Sequence, residues 1–254
     1  MFSRNAKFEM NLATELQNKD SVTRLCVVPA RGGSKRIPRK NMIDVCGRPL
    51  ISYILEASTS SSLFKKIIVS SDDDEILEYA SSNFAVETRL RSSNLASDDA
   101  KIYSVVQHEY LIELENGAIF EEIWLLSATA CLLEPSDLKN IAESFAQEVI
   151  TKSDLAMLAV TTFETHPQQA LILLENGTLQ AQNHDAFTSA SQSLSPVYRD
   201  SGCAAVFSGY ALDQHPNGIP NSFFRPYILP RSKAVDINTF EDLSIAQALL
   251  AQKS

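Results

Sequence analysis

The sequence has few cysteines and no long apolar run, and each shortage excludes a class of protein. The four cysteines, Cys26, Cys46, Cys131 and Cys203, are far apart and form no C-x-x-C pair. We therefore expect neither structural zinc nor a disulfide framework, but buried thiols. No apolar run approaches the ~20 residues that span a bilayer, so no membrane segment is expected.

The N-terminal segment, residues 1–23, lacks the apolar core of a secretory signal. It contains Glu9, Glu15, Lys19 and Asp20 and only a weak helical pattern. A secretory signal needs an uninterrupted apolar stretch behind a basic start. We expect an N-terminal extension that is not a signal, and a cytoplasmic protein.

A positive charge balance is also missing. There are 22 Lys and Arg against 31 Asp and Glu, which gives a net charge of −9 and a pI of about 5.0. Proteins that bind nucleic acid generally present a broad basic surface, so no nucleic-acid partner is expected. The 254 residues, 44% of them hydrophobic, are enough for one α/β domain with a large core.

The cations that are present are concentrated in residues 29–41, P-A-R-G-G-S-K-R-I-P-R-K-N. Five of the 22 lie within ten residues: Arg31, Lys35, Arg36, Arg39 and Lys40. An apolar run at 24–28 predicts a buried strand directly before them. Two glycines allow a sharp turn with amide groups facing a ligand, and Ser34 adds a hydroxyl. Arginine and lysine add charge-assisted hydrogen bonds to phosphate.

This segment therefore predicts a phosphate-binding loop at the end of the first strand, where α/β sheets bind nucleotides. It matches neither G-x-G-x-x-G nor G-x-x-x-x-G-K-[ST], which argues against dinucleotide binding and Walker-type hydrolysis. The alternative is an exposed basic surface loop, because basic patches also serve solubility.

Strands and helices alternate in the first part of the chain. We predict strands at 24–28, 66–71, 84–88 and 122–127, and helices at 50–57, 72–81 and 100–114, with another starting at Pro135. Asp72, Asp73 and Asp74 favour a helix start, as do Asp98 and Asp99. This order predicts right-handed crossovers and a mostly parallel sheet, so the fold class is α/β.

The regular alternation of strands and helices is lost in the second part of the chain, from about residue 155. Strands are predicted at 155–161 and 202–207, a hairpin through the Asn-Gly turn at 170–178, and a final helix at 239–252 that starts with a capping box. Residues 182–196 are polar and too long for a plain connector, which indicates a binding loop or an interface excursion.

The loop at 29–41, followed by G-R-P-L-I, resembles the acylneuraminate cytidylyltransferase family, nearest to its pseudaminic acid branch. V-S-S-D-D at 69–73 is similar to V-S-T-D-D of the family, and R-S-S-N-L-A-S-D at 91–98 to R-P-x-x-L-A-x-D. S-A-T-A at 127–130 and Y-R-D-S-G at 198–202 are similar to A-T-A-P and Y-H-D-A-G of the branch. The resemblance covers about residues 24–252.

The resemblance implies a Rossmann-like nucleotidyltransferase fold in one domain, residues 24–254, in which residues 155–200 carry a sugar-binding and dimerisation excursion. It implies transfer of CMP from CTP to a nine-carbon sugar acid, a Mg²⁺ cofactor and a homodimer. The implied catalytic residues are Arg31, Lys35 and Lys40. The implied nucleotide-binding residues are Ala30, Arg31, Gly32, Gly33, Ser34, Lys35, Asn41, Arg91 and Asp98. The implied sugar-binding residues are Thr129, Gln168, Gln192, Tyr198 and Asp200, and the implied metal ligands are Asp236 and Asn238.

The chain departs from the family on the metal side and on the sugar side. The family's D-I-D is Asp236-Ile237-Asn238 here, so the second carboxylate is an amide. P-I-Q-R-A of the branch is H-P-Q-Q-A at 166–170, and R-S-Q-D is A-S-Q-S at 190–193. Arg199 or Arg225 could replace the missing arginines. Two alternatives therefore stay open: the same reaction on another keto-sugar acid such as Kdo, or a CTP-binding relative with impaired turnover.

Overall fold

A seven-stranded sheet forms the centre of the computed structural model, which describes residues 22–96, 101–149, 154–216 and 218–252. The strands are β1 (Arg24–Pro29), β2 (Asp44–Val45), β3 (Arg48–Pro49), β4 (Lys66–Ser71), β5 (Glu87–Leu90), β6 (Glu122–Leu126), β7 (Ala156–Thr162), β8 (Leu171–Leu173), β9 (Leu179–Ala181), β10 (Tyr198–Ser208) and β11 (Phe224–Ile228). The N-terminal extension up to residue 21, and Asp98 and Asp99, lie outside the described residues.

The strand order is β11-β7-β10-β6-β1-β4-β5. β1 pairs in parallel with β4 and β6, β4 with β5, and β7 with β11, whereas β10 runs antiparallel to β6 and β7. Six strands therefore point the same way and one runs against them. The mostly parallel α/β sheet predicted from the sequence is confirmed.

Helices cover both faces of this sheet. They are α1 (Ile51–Ser61), α2 (Asp74–Asn83), α3 (Ser93–Ala96), α4 (Ile102–Glu115), α5 (Pro135–Val149), α6 (His184–Thr188), α7 (Gly209–Gln214) and α8 (Phe240–Ala251). Short 3₁₀ turns lie at Lys40–Met42, Pro167–Gln169, Ser191–Ser193, Asn221–Phe223 and Arg231–Lys233. None of the helices in the described ranges is long and apolar enough to cross a membrane.

β1 shows why the middle of a central strand has to be apolar. Cys26 and Val28 pack into the cluster that includes α1, α2 and α5, whereas Leu25 and Val27 pack into the cluster that includes α4 and α7. Successive side chains of a strand point to opposite faces, so a strand covered on both sides must be apolar at every position. The continuous run Leu25–Val28 is completely buried for this reason.

The predicted helix starts are confirmed where the structure describes them. The side chain of Asp73 accepts a hydrogen bond from the amide of Glu75 at the start of α2. Thr239 and Asp242 form a capping box at the start of α8. These contacts satisfy amide groups that the first helical turn leaves without partners, and they fix where each helix begins.

Several sequence predictions needed correction. The third strand lies at Glu87–Leu90 rather than 84–88, and β10 begins at Tyr198 rather than at 202. Cys46 is exposed, whereas the other three cysteines are buried as predicted. β2, β3, α7 and β11 were not predicted.

The excursion between β7 and β10, residues 163–197, contains the predicted hairpin, β8 and β9, followed by α6. The first residues of the predicted 155–200 segment belong to β7 and thus to the central sheet.

Candidate active site

Most of the predicted site residues that the structure describes gather at one edge of the sheet. Six parallel strands end at this edge and the antiparallel β10 begins there. The loops that follow β1, β4, β5, β6 and β11 therefore lie at the same edge as the first residues of β10. This is the edge at which open α/β sheets bind ligands.

The phosphate loop, which we define as residues 29–41, is closed on itself by hydrogen bonds. The amide of Ala30 donates to the carbonyl of Ser70 over 2.9 Å. The side-chain amide of Asn41, which is buried, donates to the carbonyl of Arg31 over 2.9 Å. Ile37 is fully buried in a third apolar cluster that also contains Ile237. The loop is thus held at its start, its middle and its end before any ligand binds.

Gly32 lies directly against the loop that follows β4. Its amide donates to Oδ1 of Asp72 over 2.9 Å. A Cβ at this position would lie 2.5 Å from Oδ2 and 2.7 Å from Cβ of Asp73. Gly32 is therefore required by the close approach of the Asp73 side chain, whereas a Cβ on Gly33 would meet nothing within 4 Å.

The five cations of the phosphate loop divide into different roles. Lys40 Nζ donates to the carbonyl of Ile237 over 2.7 Å, and Arg36 Nη2 donates to Asn238 Oδ1 over 2.6 Å. Arg39, in a left-handed backbone conformation with φ of 53°, pairs with Glu75 of α2. Arg31 and Lys35 are exposed on the loop. Arg39 therefore anchors the loop to α2, while Arg36 and Lys40 connect it to the segment after β11.

The cations also influence one another. Burial lowers the pKa of the Lys40 ammonium, the Asp236 carboxylate opposes this, and Arg36 and Arg31 lower the pKa further. Positive charges held this close together favour binding of a polyanion, because a bound anion offsets their mutual repulsion.

Arg91 follows β5 and contacts the end of the neighbouring strand β4. Its amide donates to the carbonyl of Ser71 over 2.7 Å, and its guanidinium donates to the carbonyls of Ser70 and Leu95. Burial lowers the pKa of Arg91, and Asp72 is the first of the charges that oppose this. Arg91 Nε and the Ser70 hydroxyl are buried without a hydrogen-bond partner among the residues that the structure describes.

One predicted metal ligand, Asp236, and one predicted sugar-binding residue, Asp200, both contact Gly202. The side chain of Asp236 lies against this glycine, whose φ is +69° and whose added Cβ would be 3.2 Å from Asp236 Cγ. The Gly202 amide donates to Oδ1 of Asp200 over 2.8 Å. Asp200 and Asp236 therefore flank the same glycine. Across the four described ranges, no group of three or more His, Cys, Asp or Glu is arranged to hold a metal ion.

The remaining sugar-side predictions fall in two places. Thr129 follows β6, is buried, and shares a 3.0 Å hydrogen bond with Ser127; Tyr198 is exposed at the start of β10. Gln168 and Gln192 lie in two short turns of the excursion. The structure thus joins the phosphate loop to Asp236 and Asn238 and places Asp200 beside them, while Gln168 and Gln192 lie outside this hydrogen-bonded group.

Comparisons with known proteins decide the family. A sequence model described as cytidylyltransferase matches residues 25–207. The chain belongs to the cytidylyltransferase family. The resemblance found in the sequence motifs is thereby confirmed, and with it the class of the enzyme, a nucleotidyltransferase.

The chain is similar to several members whose names state a substrate. It is 37% identical over 229 residues to the pseudaminic acid cytidylyltransferase of Campylobacter jejuni subsp. jejuni serotype O:2, which covers 89% of this chain and 95% of that protein. It is 26% identical over 231 residues to the CMP-N,N'-diacetyllegionaminic acid synthase of Legionella pneumophila subsp. pneumophila, with coverage of 89% and 95%.

Solved structures share the fold at low identity. One is a CMP:2-keto-3-deoxy-manno-octonic acid synthetase complexed with CTP, with a TM-score of 0.60 and 16% identity over 91% of this chain and 100% of that one. Another is a 4-diphosphocytidyl-2C-methyl-D-erythritol synthase, with a TM-score of 0.63 and 13% identity over the same shares. These likenesses establish the cytidylyltransferase fold.

The family motifs alone did not reveal two contacts at this edge. Asp72 holds the Gly32 amide, a contact that its predicted place at a helix start did not indicate. Its place at the carboxyl end of β4, next to β1, was the available signal.

Of the two arginines proposed as replacements, Arg199 lies at the site edge and donates to the carbonyls of Asp200 and Ala234. Arg225 pairs with Glu148 at the start of β11, the opposite edge of the sheet.

Proposed function

We propose that this cytidylyltransferase transfers CMP from CTP to a nine-carbon nonulosonic acid of the pseudaminic or legionaminic type, in the cytoplasm. The observation that carries the proposal is the closed phosphate loop, whose Arg36 and Lys40 are tied to the segment of Asp236 at the carboxyl edge of the sheet. The relatives support the acceptor, since 37% identity over 89% of the chain links it to a pseudaminic acid cytidylyltransferase.

The reaction is a displacement at phosphorus. The anomeric hydroxyl of the sugar acid attacks the α-phosphorus of CTP, the bond to the β-phosphate oxygen breaks, and pyrophosphate leaves while the hydroxyl proton is released. Negative charge builds on phosphate oxygens, so the protein has to position the groups and neutralise charge. Arg31, Lys35 and Lys40 supply that charge, and no covalent intermediate is needed.

A magnesium ion is proposed as the cofactor, although only one of the two predicted ligands fits it. Mg²⁺ prefers oxygen ligands and usually bridges to substrate phosphates. Asp236 offers a carboxylate beside Lys40. Asn238 turns its amide nitrogen toward Asp236 and its oxygen toward Arg36, so it presents no oxygen to an ion on Asp236.

A homodimer is proposed from the β8–β9 hairpin. Leu171, Leu173 and Leu179 are 45%, 70% and 63% exposed, and Ile172, on the other face, is 48% exposed. A two-stranded hairpin is marginally stable by itself, and one that exposes apolar side chains on both faces needs a cover. We propose that a second copy of the chain supplies it.

The function is tested by measuring pyrophosphate release from CTP and Mg²⁺ with pseudaminic, legionaminic, N-acetylneuraminic and 3-deoxy-octulosonic acids supplied separately. Release with a nonulosonic acid, and none when ATP replaces CTP, is the expected result. Release with the eight-carbon acid alone would transfer the proposal to that acceptor. No release with any acid, while CTP raises the melting temperature, would identify a binding-only relative, because a ligand of the native state stabilises it.

A further inference from the structure

Asn238 connects a cation of the phosphate loop to a carboxylate. Its Oδ1 accepts from Arg36 Nη2 over 2.6 Å, and its Nδ2 donates to Asp236 Oδ2 over 2.6 Å. The charges on the two sides fix the orientation of the amide. Turned over, it would place its oxygen against the carboxylate and its NH₂ group against the guanidinium, and both contacts would be repulsive.

An aspartate at this position could not make the same connection. A carboxylate has acceptors only, so it would pair with Arg36 but repel Asp236 about one amide's width away. A cation between the two carboxylates would relieve that repulsion. Asparagine at position 238 therefore supports a chain of hydrogen bonds without a metal ion. Aspartate at the same position would form a pair of carboxylates with Asp236, and that pair would favour a bound cation.

The backbone around Asn238 is held without its side chain. Its amide donates to Asp242 Oδ2 over 2.9 Å, within the capping interactions of α8. The carbonyl of the preceding Ile237 accepts from Lys40, and the Ile237 side chain is fully buried. Substitutions of the Asn238 side chain should thus leave the segment folded, and their effects report on the connection itself.

We propose that Asn238 is a positioning residue that couples Arg36 of the phosphate loop to Asp236 before nucleotide binds, in place of a second metal carboxylate. The role of this coupling in catalysis rests on the proposed function, since the coupled residues lie at the proposed triphosphate site. It requires that divalent cations bind the protein weakly without nucleotide, and that Arg36 and Asn238 act on nucleotide binding as one unit.

The first test measures binding of Mn²⁺ to the full chain without nucleotide, by the electron paramagnetic resonance signal of the free ion. We expect weak binding to the unmodified protein and binding tighter by at least about tenfold in Asn238→Asp, because a second carboxylate adds charge and an oxygen ligand. Asn238→Ala should stay weak. Equal Mn²⁺ affinity of Asn238→Asp and the unmodified protein would overturn the inference.

The second test is a double-mutant cycle on the dissociation constant of CTP, measured by calorimetry with Mg²⁺. Arg36→Ala and Asn238→Ala should each weaken CTP binding several-fold, and together no more than the larger single effect, because they break one connection. The matched control is Arg39→Ala, a cation of the same loop that pairs with Glu75; its effect should add to that of Asn238→Ala. Additive effects of Arg36 and Asn238 would overturn the coupling.

Neither test depends on the sugar acid. If no acceptor is turned over, both tests still decide the role of Asn238. If CTP does not bind at all, the proposed function fails while the Mn²⁺ comparison still decides whether Asn238 stands in place of a metal carboxylate.

Discussion

The ammonium group of Lys40 lies 2.7 Å from the backbone carbonyl of Ile237, 197 residues further along the chain. This hydrogen bond joins the end of the phosphate loop to the segment that carries Asp236. It also holds the cation where burial lowers its pKa and the carboxylate of Asp236 opposes that shift. The phosphate loop, which follows β1, is thereby held against the segment that follows β11.

Replacing Lys40 by methionine should lower kcat/KM for pyrophosphate release by about 10²–10³-fold, because one preorganised donor to developing charge is lost. Lys40→Arg should recover only part of the activity, since a guanidinium does not fit the place of a compact ammonium. The matched control is Lys139→Met on the exposed face of α5. An activity of Lys40→Met within twofold of that control would show that Lys40 only holds the loop.

Gly32 and Gly33 should differ sharply in their tolerance of a side chain. We expect Gly32→Ala to lower the free energy of unfolding by about 1–3 kcal/mol, because its Cβ would overlap Asp73, the capping residue of α2. Gly33→Ala should change it by less than about 0.5 kcal/mol, since space surrounds that position. Urea unfolding of both variants measures the difference. Equal losses would contradict the close packing of Gly32.

The phosphate loop could be predicted from sequence because its signals are local. An apolar run, two glycines and five cations follow one another within residues 24–40. The contact from Arg36 to Asn238 joins residues 202 positions apart, and that from Gly32 to Asp72 joins residues 40 apart. Such contacts depend on the strand order, which periodicity alone does not fix.

A local signal also explains why β11 was not predicted. β11 contains Pro226, which argues against a strand because proline gives no amide hydrogen to the ladder. The structure places β11 at the edge of the sheet, where a proline is tolerated on the free side.

The role of Gln169, which stands where the pseudaminic acid branch has an arginine, also depends on contacts that the sequence alone does not show. Its side-chain amide donates to the carbonyls of Ala186 and Ser189, so here it fastens the excursion internally.

The proposed homodimer is tested at the most exposed leucine of the hairpin. Leu173→Glu should convert the dimer to a monomer, because a charge at a covered apolar contact is left desolvated. Light scattering coupled to size-exclusion chromatography gives the mass, which should fall by half. Ile119→Glu, an exposed apolar position before β6, should leave the mass unchanged. A monomeric unmodified protein, or a dimer that survives Leu173→Glu, would remove the hairpin from the interface.

A buried carboxylate on α4 should control the response of the fold to acid. Glu113 has a side chain only 1% exposed, and it accepts hydrogen bonds from Lys66 and Arg89. Burial by itself would raise the pKa of Glu113, but the bonds from Lys66 and Arg89 outweigh it and hold the pKa below its usual value. Because the folded-state pKa is the lower one, the stabilisation is complete above the unfolded-state pKa, about 4.3 for glutamate. It is lost as the pH falls through the folded-state value.

Glu113→Gln should therefore lower the free energy of unfolding at pH 7 by about 3 kcal/mol, because Lys66 and Arg89 lose a buried partner. The loss should shrink as the pH falls below about 4, because the unfolded chain then binds a proton at this position while the folded protein still holds the charge. Urea unfolding between pH 7 and pH 3 measures both effects. Glu115→Gln, an exposed position on the same helix, should follow the unmodified protein throughout. A loss for Glu113→Gln that stays constant down to pH 3 would mean that packing, rather than the ion pairs, accounts for it.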